Sequence, residues 1–150
     1  MSILGIVPFF PLYYNGSTKF TPVHVTDVAE LICHVISKEI YSKDIEVIGP
    51  EILSFKEIIN KIIKSIDKKR ILFPMPLPIA KISASLMQIL PNPLITRDQL
   101  NLLKYDNVKS ENGITNFDLG CPSKIFFDEG IKKYAYNWRE GGEFSIKKID

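Results

Sequence analysis

Cysteine is scarce in this 150-residue chain: only Cys33 and Cys121 occur, 88 positions apart. Neither belongs to a C-x-x-C pair or has a histidine at ligand spacing, which excludes structural zinc and leaves no metal ligand to assign. One widely separated pair does not make a disulfide framework, and the usage favours thiols in a reducing, cytoplasmic compartment. Basic excess is small too, with 19 Lys and Arg against 17 Asp and Glu. A formal charge of +2 excludes the clustered positive footprint that nucleic-acid binding requires. The apolar opening from Met1 to Tyr14 lacks a basic start and carries Pro8 and Pro11. It therefore does not read as a signal peptide and is too short to span a bilayer. Eight glycines are present, but none forms G-x-G-x-x-G or G-x-x-G-x-x-G. Without such a turn, backbone amides do not approach a pyrophosphate at a helix N-terminus.

What is present is an ordinary globular balance, 45% hydrophobic and 24% charged, enough for one core without staples. Lys19 to Val25 is rich in Phe, Thr and Val and predicts a short strand, which Pro22 confines to an edge or a strand start. Val28, Leu31, Ile32 and Val35 then fall on one helical stripe, with Asp27 as its expected cap. Asp44 to Ile48 predicts a second strand, stopped by Gly49-Pro50. Ser54-Phe55-Lys56-Glu57 is a capping box, and Phe55, Ile58, Ile59, Ile62 and Ile66 line one face of the helix behind it. Ile71 to Met75 predicts a third strand. Pro78 opens the next helix, which Pro91-Asn92-Pro93 ends. Thr96 caps a short helix through Thr96-Arg97-Asp98-Gln99, Asn107 to Asn116 reads as a polar loop, and a last helix runs from Pro122-Ser123 towards Tyr134. Alternating strands and helices followed by helices alone predict an α/β sheet and a small helical lobe. Three strands are few for an independent doubly wound domain.

The segment Lys19-Phe20-Thr21-Pro22-Val23-His24-Val25-Thr26-Asp27-Val28-Ala29, followed by Ile48-Gly49-Pro50-Glu51 and Ser54-Phe55-Lys56-Glu57, resembles the later half of the extended and atypical short-chain dehydrogenase/reductase family. Pro76-Leu77-Pro78, Leu94-Ile95-Thr96-Arg97-Asp98-Gln99 and Asp106-Asn107-Val108 are similar to one branch of it. That branch includes the nucleotide-binding accessory subunit of respiratory complex I and NAD(P)-dependent epimerase/dehydratase-like proteins. The resemblance runs from Pro11 to Tyr134. It implies the C-terminal part of a Rossmann-like fold with a small helical substrate-side lobe. Residues 1–75 would be the remaining strand-helix units of an incomplete sheet, 76–136 the helical lobe and 137–150 a flexible tail.

The same resemblance implies NAD(P) for a complete family protein and none for this chain alone. Family members use a Tyr-x-x-x-Lys pair, in which the lysine lowers the phenol's pKa for proton exchange with substrate. Tyr105 and Lys109 have that spacing, but they follow the T-R-D-Q helix instead of preceding it, and the spacing is a coincidence in a lysine-rich chain. No catalytic or cofactor-binding residue is assigned, and the chain alone is not expected to catalyse. Lys19, His24 and Arg97 are the substrate-side candidates by family analogy. Lys19 stands where many relatives have arginine and offers a point charge without the bidentate fork. Each has a plainer reading: a solvated lysine, a packed histidine and a surface charge. Asp27, Ser54 and Thr96 are read as structural caps.

Partner expectations follow from the same residues. A glycine-rich N-terminal half is expected from a separate source, and uncovered strands favour self-association through the sheet edge. The interleaved Lys132-Lys133-Tyr134-Ala135-Tyr136-Asn137-Trp138-Arg139 suits contact with a protein partner such as a respiratory complex or with the inner face of a membrane, and its plainer reading, which is preferred, is an exposed tail that packs its aromatics loosely on the body. The alternative to a reductase-like part is a non-catalytic assembly or interaction module of such a complex.

Overall fold

In a computed structural model of the chain, the structure describes residues 4, 8–87 and 96–144. The elements in chain order are β1 (Phe9–Leu12), a 3-10 turn (Tyr13–Gly16), β2 (Lys19–Phe20), α1 (Val25–Ser37), β3 (Ile45–Glu46) and β4 (Leu53–Ser54). There follow α2 (Phe55–Ser65), β5 (Ile71–Pro74), α3 (Leu77–Met87), α4 (Arg97–Leu102), β6 (Ile114–Thr115), α5 (Phe127–Ala135) and a second 3-10 turn (Tyr136–Trp138). Mixed strand and helix in this order is compatible with an α/β fold. The helix stop expected at Pro91-Asn92-Pro93 lies outside the described residues, as do residues 145–150 of the expected tail.

Among the described residues the strands form three two-stranded sheets instead of one. β1 pairs parallel with β5, β2 antiparallel with β4, and β3 parallel with β6. The three strands expected from the sequence are there in shortened form, and none pairs with another of the three. Each pairs with a segment not read as a strand: β1 lies in the proline-containing opening, and β6 lies in the polar stretch before Asn116. Pro22 ends β2 early, because proline has no N–H to donate to a ladder. Thr21 N–H instead reaches the Asn107 carbonyl (3.2 Å), and Gly49 N–H reaches the Thr21 carbonyl (3.2 Å). Gly49 passes so close beneath this loop that a Cβ there would lie 1.7 Å from the Pro22 carbonyl oxygen.

The local signals for the helices are well defined. Ser54 and Glu57 form a reciprocal capping box at α2, and Thr96 and Gln99 do so at α4. At α1 the cap is His24, whose Nδ1 accepts from Thr26 N–H at 3.2 Å. Asp27, expected as the cap, lies within the first turn, and its buried carboxylate accepts from Ile125 N–H at 3.1 Å. The helix begins one residue after His24, so Asp27 is too far inside it to cap. The last helix starts at Phe127 and not at Pro122-Ser123. The reason is that Ser123 Oγ–H donates to the Ile48 carbonyl (2.7 Å) and Ile125 N–H to Asp27, which hold this stretch extended.

Among the described residues two small cores result. Ile59, Ile63 and Ile66 of the α2 stripe pack with Leu4 and Ala135, flanked by Phe10, Phe55, Leu72 and Trp138. Tyr13, Ala80 and Leu100 form the second, with Tyr14, Met75 and Leu103 against it. The chain passes between β1 and β2 through a left-handed run, Tyr14 (φ 50°), Asn15 (φ 57°) and Gly16 (φ 69°). Glycine is required at its end, because a Cβ there would stand 2.8 Å from Lys56 Cβ.

Among the described residues the β1–β5 pair is covered on one side only. Phe10, Leu12 and Leu72 turn towards the interior, while Phe9, Ile71 and Phe73 are 53%, 60% and 38% exposed. Phe9 is the register partner of Ile71, so these side chains share the outer face. Parallel strands are ordinarily covered on both faces.

Candidate functional site

The β2–α1 loop faces α5 across an apolar cleft of about 250 Å³. Pro22, Val23 and His24 form one wall, Ile62 of α2 contributes from below, and Ile125 to Tyr134 supply the other wall. The second wall depends on Phe127, Ile131 and Tyr134, which occur at i, i+4 and i+7 and so share a helix face. Gly130 lets α5 come close: a Cβ there would meet His24 Cδ2 at 2.9 Å. The α5 N-terminus is anchored by Glu51, whose carboxylate accepts from Phe127 N–H at 2.8 Å. Lys61 bridges Glu51 (3.8 Å) and Asp128. The hydrogen bond to Asp128, above all, holds the Lys61 ammonium above its ordinary pKa.

The three substrate-side candidates are not brought into one cavity. His24 lines the cleft, and its Nε2 is buried without a hydrogen-bond partner among the described residues. Arg97 lines a separate polar recess with Lys81, Asp98, Leu100 and Asn101. Lys19 lines neither. Its backbone N–H donates to Asp106 Oδ1 (2.8 Å), its carbonyl accepts from Asn107 N–H (2.7 Å), and its side chain is exposed. Tyr105 is exposed, and Lys109 pairs with Asp118 at 3.6 Å. Sequence reading missed the wall from Ile125 to Tyr134, although its i, i+4, i+7 pattern was there to find.

The helix N-termini and the glycine turns bear on the dinucleotide that the family resemblance implies for a complete protein. A pyrophosphate seeks free N–H groups at the positive end of a helix. Here the first turns of α1, α2, α4 and α5 carry the chain's own carboxylates, Asp27, Glu57, Asp98, and Asp128 with Glu129, while that of α3 carries none. Glu57 accepts from both the backbone N–H and the hydroxyl of Ser54, each at 2.7 Å, and these bonds hold its pKa below the ordinary value. Among the described residues positive-φ glycines occur at Gly16, Gly120 and Gly141, none of them at a strand-to-helix turn. Among the described residues no group of three or more His, Cys, Asp or Glu could hold a metal ion. No helix among them is long and apolar enough to cross a membrane.

A polar staple lies behind the cleft. Asn116 is buried and bonds to Ile48, Cys121 and Ser123. Glu46 accepts from both the N–H and the hydroxyl of Ser110, and Asp118 from both the N–H and the hydroxyl of Thr115. These hydrogen bonds keep both carboxyls below their ordinary pKa values.

No protein-family model matches the chain. Among curated proteins, it is 33% identical over 147 residues to the mitochondrial NADH dehydrogenase (ubiquinone) 1 alpha subcomplex subunit 9 of Arabidopsis thaliana. The match takes in 89% of this chain and 36% of that protein, so the chain spans about a third of the length of the curated relative it matches. The finding supports a relation to that complex I subunit.

Proposed function

We propose that this chain acts as the substrate-side part of a nucleotide-binding, reductase-like protein related to that subunit, corresponding to the C-terminal portion of a short-chain dehydrogenase/reductase fold. A glycine-rich half supplied separately would grip NAD(P), and this chain alone would neither bind the cofactor nor turn it over. The observation that carries the reading is the bare outer face of the β1–β5 pair, Phe9, Ile71 and Phe73. Two parallel strands are too few to stand alone, and their apolar outer face needs a covering layer. Continuing the sheet with further strands and helices would supply that layer. The relation to a protein almost three times as long in aligned terms is consistent with such a covering part.

Calorimetric titration of the isolated chain with NADH and with NADPH tests the proposal. No binding up to millimolar nucleotide is expected, and micromolar affinity for either would overturn it.

A second reading is a non-catalytic assembly module at the inner face of a membrane-bound respiratory complex. Its supporting observation is α1, where Val25, Ile32 and Ile36 stay exposed along one side of the helix. Recovery of respiratory subunits with the wild-type chain, and its loss when Ile32 and Ile36 are changed to Lys, would favour this reading over the first.

A further inference from the structure

We infer that the cleft between the β2–α1 loop and α5 binds a small uncharged molecule with an apolar body and one carbonyl oxygen, which accepts a hydrogen bond from His24 Nε2. The lining contains no charged side chain; His24 and the Tyr134 hydroxyl are its polar side-chain groups. A charged ligand would find no counter-charge there, and an apolar one loses little on leaving water. Size sets a limit as well. An apolar cavity of about 150 Å³ accommodates benzene, so about 250 Å³ suits a molecule of about ten heavy atoms.

The polar requirement comes from how the chain uses the imidazole. Nδ1 accepts from Thr26 N–H, which caps α1. An accepting Nδ1 carries no proton, so in the neutral ring the proton sits on Nε2 and makes that atom a donor. The donor has no acceptor among the described residues. A buried donor left unpaired is unfavourable, and Gly130 of α5 lies against the ring edge. Nε2 is closed to water in this structure, so the ligand oxygen reaches it by a small displacement of the α5 wall beside Gly130, which satisfies the donor without disturbing the cap. The inference does not depend on the reductase-like reading, because all of the cleft's walls belong to this chain.

The test compares acetophenone with α-methylstyrene, which has the same size and shape but a methylene group in place of the carbonyl oxygen. Binding is followed on the full chain by the His24 ring nitrogen resonances and by the amide signals of Ile62, Ile131 and Tyr134. Acetophenone is expected to bind about 3- to 10-fold more tightly and to shift the Nε2 resonance. In the His24→Asn variant the asparagine can still cap α1, since Asn is among the preferred cap residues. Its melting temperature is therefore expected to stay near wild type while the preference for acetophenone disappears. Equal affinity of the two compounds for the wild-type chain, unchanged preference in H24N, or no shift at these residues with either compound would overturn the inference.

Discussion

Asn116 and Ile48, 68 residues apart, exchange two hydrogen bonds: Ile48 N–H donates to Asn116 Oδ1 at 3.0 Å, and Asn116 Nδ2 donates to the Ile48 carbonyl at 3.3 Å. A side-chain amide thereby continues the β3–β6 ladder after the strands themselves have stopped. The same Nδ2 reaches Ser123 Oγ at 3.0 Å and the Cys121 carbonyl at 3.3 Å. One buried side chain thus ties β3, the 115–123 loop and the approach to α5 together.

Replacing Asn116 with Ala would leave the Ile48 N–H without this partner in a site where Asn116 is only 1% exposed, while the Ile48 carbonyl keeps the Ser123 hydroxyl at 2.7 Å. An unpaired buried group costs about 1–3 kcal/mol, so a loss of about 2–3 kcal/mol is expected. In a chain of this size that lowers the melting temperature by about 5–10 °C, measured by thermal unfolding followed by circular dichroism. A shift below 2 °C would show that the staple is dispensable.

Acid should weaken the fold at identifiable places. Glu46 and Glu57, ordinarily near 4.5, and Asp118, ordinarily near 3.8, all have lowered values in the folded chain. Their contributions are complete above those ordinary values and are lost as pH falls through the lowered ones. Melting temperature is therefore expected to hold from pH 7 to 5 as far as these carboxyls govern it, and to fall below about pH 4. Glu57→Gln keeps an N3 capping side chain that does not titrate in this range, so its acid decline should be shallower than wild type.

At the alkaline end the signs reverse. Lys61 is held above its ordinary 10.5 mainly by Asp128, and burial raises Tyr13 above its ordinary 10.0. Both contributions are present below the ordinary values and are lost as pH rises through the raised ones. A Lys61→Met variant should lose part of the alkaline slope above about pH 10, which a series of melts from pH 8 to 11.5 would detect.

The bare face of β1–β5 leads to an association prediction. The isolated wild-type chain should self-associate as concentration rises, while the Ile71→Lys and Phe73→Glu double variant should remain monomeric with little change in melting temperature, since both side chains point outwards. Light scattering after size exclusion measures this. A wild-type chain that stays monomeric at 100 μM (about that order is enough to populate weak apolar dimers) would remove the face as an association surface.

What could be read from the sequence was what is decided locally. The Ser54-x-x-Glu57 and Thr96-x-x-Gln99 boxes involve residues three apart, and the α2 stripe repeats every turn, so neither needs information from distant parts of the chain. Strand partnership is different. β3 is stabilised by Ile114–Thr115, about 70 positions away, and nothing in the local alternation of either segment names the other. Asn116 looked like one more polar residue in a loop, because its role depends on Ile48 and Ser123 coming to it. For the cleft, His24 was visible as a candidate, but Asp27 appeared to be the better cap. Only the start of α1 one residue after His24 gives the imidazole the capping role and leaves its other nitrogen over.

Gly49 and Pro22 cross like the two members of a fulcrum. Because only hydrogen fits between them, even one methyl group at position 49 would act as a wedge, and the segment it lifts is the one that carries Val23 and His24. The width of the cleft mouth is thereby geared to a residue that lies outside its lining, so variation at position 49 should be felt at the imidazole before it is felt in either core.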